Sequence, residues 1–227
     1  MCFSPQGDLV GGVAVMAIGV EACRRLKGRR EYALVATVPL LLGAHQVDES
    51  LVWWGLQGHV PSSVGHAAMW AYLVVALVVL PVLAPLLVLR IEPEGRRRRR
   101  LVPFVALGAI VSSILLEAML VGHPSARLGH LHLAYSIGLQ HGIAVIGLYI
   151  VATCGAMLLS SHRDVVWFGI ANLVAVVVLA RLCVDGFTSL WCAYAAVLSA
   201  AIVLHLRGTQ RRGTPVPPST IGATAVG

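Results

Sequence analysis

The sequence predicts an all-α integral membrane protein, built as a bundle of seven transmembrane helices. Three observations lead to this fold class. Of the 227 residues, 58% are hydrophobic and only 12% are charged, a composition typical of membrane proteins rather than of water-soluble domains. The apolar residues are gathered in seven long runs, and basic residues fill every second connection between them. Because lipid offers the backbone no hydrogen bonds, such runs favour helices.

The apolar runs use almost the whole chain and leave no room for a soluble domain. A helix needs about 20 apolar residues to cross a hydrocarbon core about 30 Å thick. The seven runs cover residues 8–23, 31–56, 63–89, 101–121, 135–159, 165–184 and 187–206. We therefore predict a transmembrane domain over residues 1–207 and a disordered cytoplasmic tail over residues 208–227, which contains Thr-Pro-Val-Pro-Pro.

The basic residues predict the orientation of the bundle, because short loops rich in Lys and Arg stay in the cytoplasm. The connections between runs two and three, four and five, and six and seven hold a single Lys or Arg residue, Arg127. We therefore expect an outer N-terminus, a cytoplasmic C-terminus and a multi-pass protein of the cell membrane. The basic residues of the other connections and the tail are Arg24, Arg25, Lys27, Arg29, Arg30, Arg96 to Arg100, Arg163, Arg207, Arg211 and Arg212.

The five consecutive arginines from Arg96 to Arg100 do not indicate a nucleic-acid partner. They lie between two predicted membrane helices, where membrane topology and anionic lipid headgroups explain them more simply. The expected partners are therefore membrane lipid and a hydrophobic small molecule, with no nucleic acid.

The second apolar run carries an unusual group of polar residues. His45, Asp48 and Glu49 fall within five residues of one predicted membrane helix. A charged side chain near the bilayer centre costs about 3 kcal/mol or more, so such residues persist mainly where they face protein or a wet cavity. His45, Glu49 and Trp53 are spaced four apart and share one helical face. This face is the first candidate functional site.

Further polar and aromatic side chains are predicted at the same depth. With the N-terminus outside, Glu117, His141 and Asp185 fall in the outer part of their helices, level with Glu49. We expect them to line one cavity that opens toward the outer half of the membrane. Its aromatic wall would include Trp53, Trp54, Tyr72, Tyr135, Trp191 and Tyr194.

Each of these residues also has a purely structural interpretation. The aromatic residues fit the interfacial belt of membrane proteins. Arg181 and Asp185 are spaced for an ion pair within one helix, and His45 fits a hydrogen-bonded core histidine. Glu49 and Glu117 are harder to explain in this way, because a carboxyl group inside the membrane has few structural uses.

A carboxyl group in an apolar cavity suits general acid catalysis. It keeps its proton because desolvation disfavours the charged form. Such an acid can protonate an alkene or epoxide of a hydrophobic substrate, and the faces of tryptophan and tyrosine stabilise the resulting cation. The sequence thus indicates an enzyme that cyclises a prenylated substrate by protonation. It has no aspartate cluster of the DDxxD type for a magnesium-bound diphosphate, so no cofactor is expected.

Two resemblances can be stated. The opening Met-Cys-Phe-Ser and the segments LLLGAHQ, VATCG and LWCAYAA resemble a family of small actinobacterial seven-helix membrane proteins whose function is largely unassigned. More loosely, seven helices with isolated membrane carboxylates are similar to the integral-membrane terpene cyclases of fungal meroterpenoid and bacterial drimentine-type pathways. Those enzymes use a Glu from an early helix and an Asp from a late one, which correspond by helix order to Glu49 and Asp185.

A terpene cyclase of this kind is a lyase or isomerase that uses Brønsted acid chemistry. The resemblance implies a role in this chemistry for each candidate residue. Glu49 is expected to be the proton donor and Asp185 the second acid or terminal base. Glu117 and His45 would tune or relay the proton. Trp53, Tyr72 and Trp191 would form the wall, with Trp54, Tyr135, His141 and Tyr194 as further substrate contacts.

A metal-dependent hydrolase or redox protein is the main alternative. His45 and Glu49 could place two ligands on one face, and His141 with Asp185 or Glu117 could complete a zinc or iron shell. The seven-helix alkaline ceramidases and adiponectin-type receptors pair two histidines four apart on their last helix. Here that run offers only His205.

A non-enzymatic receptor or small-molecule sensor is the remaining class. Seven helices with an outer N-terminus resemble rhodopsins, but the one lysine, Lys27, lies in a predicted cytoplasmic loop. A retinal Schiff base is therefore excluded. A transporter would more often show broken helices at mid-membrane or an internal repeat.

Overall fold

The computed structural model describes residues 4–24, 33–129, 133–139 and 141–182. Asp185, Trp191, Tyr194, the predicted seventh run and the tail lie outside these residues. The described elements are α1 (Pro5–Arg24), α2 (Ala33–Leu56), α3 (Ser62–Leu73), a π-helical segment (Val74–Val79), α4 (Leu80–Ile91), α5 (Arg96–Gly122), β1 (Ser125–Leu128), β2 (Leu133–Ser136), α6 (Gly142–Leu158) and α7 (Arg163–Leu182).

The described chain is mostly helical, as predicted, and its helices are of the membrane type. Three are long and apolar enough to cross a bilayer: Pro5–Arg24, the continuous helix Ser62–Ile91, and Arg96–Gly122. The apolar α6 is shorter. Large apolar side chains such as Ile143 and Val121 are exposed on the outer faces, as expected of surfaces that meet lipid. The number of spans and their orientation remain predictions.

Helix α1 begins with strong local signals. The Ser4 hydroxyl accepts a hydrogen bond from the Gly7 amide at 3.1 Å, the geometry of an N-cap. Pro5 occupies the first helical position, where its missing N–H costs nothing and its fixed φ suits the helix. These residues fix where the first helix starts and therefore the depth of Asp8, one turn further along.

Helix α1 packs closely against α2 because its contact face carries small residues. Its buried positions include Gly12, Val15 and Gly19, which lie on one stripe. A Cβ atom at Gly12 would lie 2.7 Å from the Gly43 carbonyl oxygen, and one at Gly19 would lie 2.7 Å from the Leu40 nitrogen. The two helices therefore touch backbone to backbone and run antiparallel.

The long helix Ser62–Ile91 is interrupted by the π-helical segment. Pro81 has no N–H to donate, so the Ala76 carbonyl, five residues before it, loses its π-helical partner. The Tyr149 hydroxyl of α6 donates to this oxygen at 2.9 Å. The Ser112 hydroxyl of α5 donates to the Val78 carbonyl at 2.7 Å. Hydrogen bonds to the widened turn thus fix α5 and α6 against it.

The prediction that a helix begins at residue 135 is wrong. Strands β1 and β2 form an antiparallel hairpin in which Ala126 pairs with Tyr135, so the described fold is not purely α-helical. Gly138 and His141 both have positive φ, which an α-helix cannot continue through, and α6 begins only at Gly142. The hairpin packs its Leu133 side chain into the protein.

The largest core cluster among the described residues joins α2, α3, α5 and the hairpin. It lies around the stretch of α2 that carries the polar residues, so those residues are next to well-packed apolar side chains. Its buried members are Val52, Trp53, Ala68, Met69, Tyr72, Leu73, Met119 and Leu133.

Glu92 connects the loop between α4 and α5 with the loop between α6 and α7. It follows α4, and its carboxylate accepts hydrogen bonds from the Ser160 hydroxyl at 3.0 Å and from the Ser161 hydroxyl and amide at 2.6 and 3.0 Å. His162 Nε2 lies 3.0 Å from the Ile91 carbonyl oxygen. We call this group, which joins the α4–α5 and α6–α7 connections, the Glu92 clasp.

The electrostatics of the clasp favour the charged carboxylate. Burial raises the pKa of Glu92, but the hydrogen bonds from Ser161 and Ser160 and the nearby His162 outweigh burial and hold the pKa below its usual value of 4.5. The carboxylate also lies at the start of α7, where the helix dipole favours negative charge.

Candidate functional site

The candidate site is centred on four polar residues of α2, which we call the polar stripe: His45, Gln46, Glu49 and Trp53. Their relative exposures are 5%, 1%, 0% and 5%. The helical spacing predicted that His45, Glu49 and Trp53 share a face, and the structure buries all three. Asp48, on the neighbouring face, is only partly buried.

Three rings stack beside the polar stripe. The His45 and Tyr72 rings are parallel, with centroids 4.0 Å apart, and Tyr72 stacks in turn on Tyr135 at 4.8 Å. The interplanar angle is 12° in both pairs. This stack joins α2, α3 and the hairpin, and it fixes the plane of the His45 ring. The hairpin that the sequence did not predict therefore supplies one wall of the site.

Asp8 is a second fully buried carboxyl group at the same level. Its relative exposure is 0%. Gly12, one turn later on α1, faces Gly43 and Val47 of α2. Because the helices are antiparallel, Asp8 lies opposite the turn after Val47, which contains Glu49. The structure thus brings two acidic residues of neighbouring helices to one depth within the protein.

Sequence reasoning missed Asp8, although a signal existed. Asp8 opens the first apolar run, and with an outer N-terminus it falls at the predicted depth of Glu49. Reading depth along the first run, as for the later ones, would have included it. Gln46 belongs to the same polar stretch of the second run, but it was not among the predicted site residues because an amide carries no charge.

Two buried polar atoms of the stripe have no hydrogen-bond partner among the described residues: His45 Nδ1 and Trp53 Nε1. A buried donor or acceptor without a partner costs about 1 to 3 kcal/mol. Ser50, one residue after Glu49, shows the usual solution, since its hydroxyl donates to the Val47 carbonyl at 2.6 Å. The two unpaired atoms are therefore exceptions that invite a functional explanation.

The other predicted site residues lie in different surroundings. Glu117 is exposed on α5, and His141 is exposed immediately before α6. Trp54 is partly buried and points to a different face of α2 from Trp53. The structure therefore brings His45, Glu49, Trp53, Tyr72 and Tyr135 together, and it leaves Glu117 and His141 outside this group.

The chemistry of the metal alternative needs at least three suitable ligands. Over the part of the chain that the structure describes, no group of three His, Cys, Asp or Glu side chains is placed to hold a metal ion. His45 and Glu49 lie on one face, but Asp185, a proposed further ligand, is outside the described residues.

Comparison with known proteins gives a family but no activity. No curated protein and no solved structure matches the chain. The looser resemblance to terpene cyclases is therefore not supported by a known relative. Residues 1–219 match the model described as "Family of unknown function (DUF6629)". Since this match covers nearly the whole length, the chain belongs to the DUF6629 family.

Proposed function

We propose that the protein is a multi-pass enzyme of the cell membrane that protonates a prenylated, membrane-soluble substrate and closes it into rings. Glu49 is the proton donor. The observation that carries the proposal is the complete burial of the Glu49 carboxyl group, one helical turn from the His45–Tyr72–Tyr135 stack. A carboxyl group at such a position needs a reason to be there.

The polar stripe supplies what a protonation step needs. Removal from water favours the neutral carboxylic acid, so Glu49 can deliver a proton to a substrate alkene or epoxide. The O–H bond of the acid breaks as a bond from hydrogen to the substrate forms, and a carbocation results. Ring closure then moves the positive charge along the chain as carbon–carbon bonds form. Loss of a proton to a base ends the reaction.

We assign Asp8 of the neighbouring helix as the partner of Glu49. It shares the depth of Glu49 on the neighbouring helix and is equally buried. We therefore assign Asp8 to proton exchange with Glu49. Asp185 stays the sequence-based candidate for the terminal base.

Aromatic side chains would stabilise the cation. Trp53 is buried one turn from Glu49, and Tyr72 is buried in the same cluster. Their ring faces carry negative potential that attracts a cation, while the surrounding Leu and Met side chains exclude water. A substrate dissolved in the bilayer could reach this region from lipid, without crossing an aqueous phase.

Product formation by purified protein tests the proposal. Full-length protein in lipid nanodiscs is incubated with a farnesyl-substituted phenol, and products are separated by gas chromatography with mass detection. Ring closure is an isomerisation, so we expect a new compound of unchanged mass. Glu49→Gln should remove it by at least about a hundredfold, the scale of general acid catalysis.

Glu117→Gln is the matched control, because it makes the same chemical change at an exposed membrane carboxyl group. It should retain activity near the wild-type rate. Full activity in Glu49→Gln, or equal losses in both variants, would contradict the assignment of Glu49 as the acid.

A further inference from the structure

The unpaired atoms of the polar stripe restrict the chemical class of the ligand. Trp53 Nε1 and His45 Nδ1 are buried and lack a hydrogen-bond partner within the described structure. They lie on the face of Glu49, one turn after it and one turn before it. A helical turn is about 5.4 Å, so the two nitrogens mark polar positions on either side of the carboxyl group.

The chemistry of these atoms restricts what can pair with them. The indole N–H of Trp53 is a donor only, so its partner must be an acceptor. The His45 ring is stacked on Tyr72 with centroids 4.0 Å apart, so a partner of its Nδ1 must lie in the plane of the ring. A hydrocarbon beside these groups would leave them unpaired, at the cost of a buried polar group without a hydrogen bond.

We propose that this site binds its ligand through an oxygen atom that accepts a hydrogen bond from Trp53 Nε1–H. The ligand is an isoprenoid or similar apolar chain that carries a hydroxyl, carbonyl or epoxide oxygen, and not a plain hydrocarbon. The chain runs along the polar stripe past Glu49 toward His45. The inference rests on the proposed function in using the same site, and it adds the class of substrate.

Trp70 shows how an indole in this protein is normally satisfied. Its Nε1–H donates to His66 Nε2 at 3.1 Å, on the exposed side of α3. Trp53 and Trp70 therefore make a matched pair, one indole N–H without a partner and one with a partner. A ligand oxygen should therefore form a hydrogen bond with the Trp53 indole N–H and leave the Trp70 indole N–H unchanged.

The experiment observes the indole protons directly. Full-length protein with ¹⁵N-labelled tryptophan is placed in nanodiscs, and the signals of its five tryptophans are recorded by NMR. Trp53→Phe and Trp70→Phe assign the two signals that matter. The probes are farnesol, which carries a hydroxyl group, and farnesene, which is a hydrocarbon with a similar branched skeleton.

Farnesol should move the Trp53 indole signal in a saturable manner and leave the Trp70 signal in place, whereas farnesene should move neither. Trp53→Phe should weaken farnesol binding by about threefold to tenfold, the scale of one hydrogen bond, and Trp70→Phe should not. Equal shifts with both probes, or no shift of Trp53 with either, would overturn the inference.

This result is independent of catalysis. Farnesol recognition without any ring formation would defeat the proposed cyclase and leave the ligand class standing. Ring formation with an unmoved Trp53 signal would do the reverse.

Discussion

Two buried polar regions of this protein differ in the hydrogen bonding of their polar atoms. In the Glu92 clasp, every carboxylate oxygen is hydrogen-bonded, with Ser160 and Ser161 as donors. In the polar stripe of α2, His45 Nδ1 and Trp53 Nε1 are buried but have no partner in the described structure. Both regions lie at points where several elements meet, so packing alone does not explain the difference.

The contrast separates a structural role from a binding role. A satisfied carboxylate that connects two loops stabilises the fold and leaves nothing for a ligand. Unpaired atoms beside a buried acid lower stability, and natural proteins tolerate such cost mainly where it serves function. Changes at the stripe should therefore alter chemistry, and changes at the clasp should alter stability.

The largest expected effect among the new variants is at Asp8. Asp8→Asn keeps the size of the side chain and removes its acid, so proton exchange with Glu49 should slow. We expect turnover of the farnesyl phenol to fall about tenfold to a hundredfold, with little change in the unfolding temperature. Glu21→Gln, on the same helix but distant from the polar stripe, provides the control. Unchanged turnover in Asp8→Asn would limit the site to α2.

Removal of the clasp should have the largest effect on stability. Glu92→Ala leaves the donors at Ser160 and Ser161 without their acceptor, and hydrogen bonds to a charged group contribute about 1.5 to 3 kcal/mol. We expect the free energy of unfolding in mixed micelles to drop by about 3 kcal/mol, while turnover per folded molecule stays normal. A loss of turnover without a loss of stability would reverse the two roles.

The close contact of α1 with α2 is the next test, because it sets the depth of Asp8 relative to the polar stripe. Gly12→Ala would place a Cβ atom against the Gly43 carbonyl and the Val47 backbone, and overpacking costs about 1 to 3 kcal/mol. We expect lower thermal stability and weaker turnover together, since α1 carries Asp8.

Gly147→Ala is the control for this contact, because a Cβ atom at Gly147 meets nothing within 4 Å. It should raise stability by up to about 1 kcal/mol through helix propensity. Equal behaviour of the two variants would show that α1 does not rely on Gly12 to approach α2.

A fall in pH should weaken the Glu92 clasp. We expect this loss of stability to be the smallest of the four effects predicted in this comparison. The pKa of Glu92 is lower in the folded protein than its usual 4.5, so its stabilising contribution is complete above that value and is lost as the pH falls through the folded pKa. Thermal unfolding from pH 7 to pH 3 should show this loss in the wild type. In Glu92→Gln the decline should be shallower, and an identical decline would assign the acid sensitivity to other carboxyl groups.

The sequence predicted most of the helices because their signals are local. Runs of apolar residues indicated α1, α2 and the long Ser62–Ile91 helix within a few residues of their observed bounds. The spacing of His45, Glu49 and Trp53 predicted one shared face for the same reason. These features depend on periodicity along a single segment, which a sequence displays directly.

The missed features depend on contacts between segments. Strands β1 and β2 have four residues each, too short for a clear alternation, and Tyr135 sits in an apolar stretch that resembles a helix start. The level of Asp8 with Glu49 follows from the register that Gly12 and Gly43 impose, which no single segment reveals. The exposure of Glu117 likewise depends on how α5 packs.

A comparison of Glu49 with Glu92, one buried carboxyl group from each region, gives the most direct test of the account. Glu49→Gln and Glu92→Gln make the same chemical change, and turnover and unfolding temperature are measured for both in the same nanodiscs. The account predicts that Glu49→Gln abolishes turnover and keeps the unfolding temperature, while Glu92→Gln lowers that temperature and keeps turnover. If the two variants lose the same property, the polar stripe is another structural contact and Glu49 is not the acid.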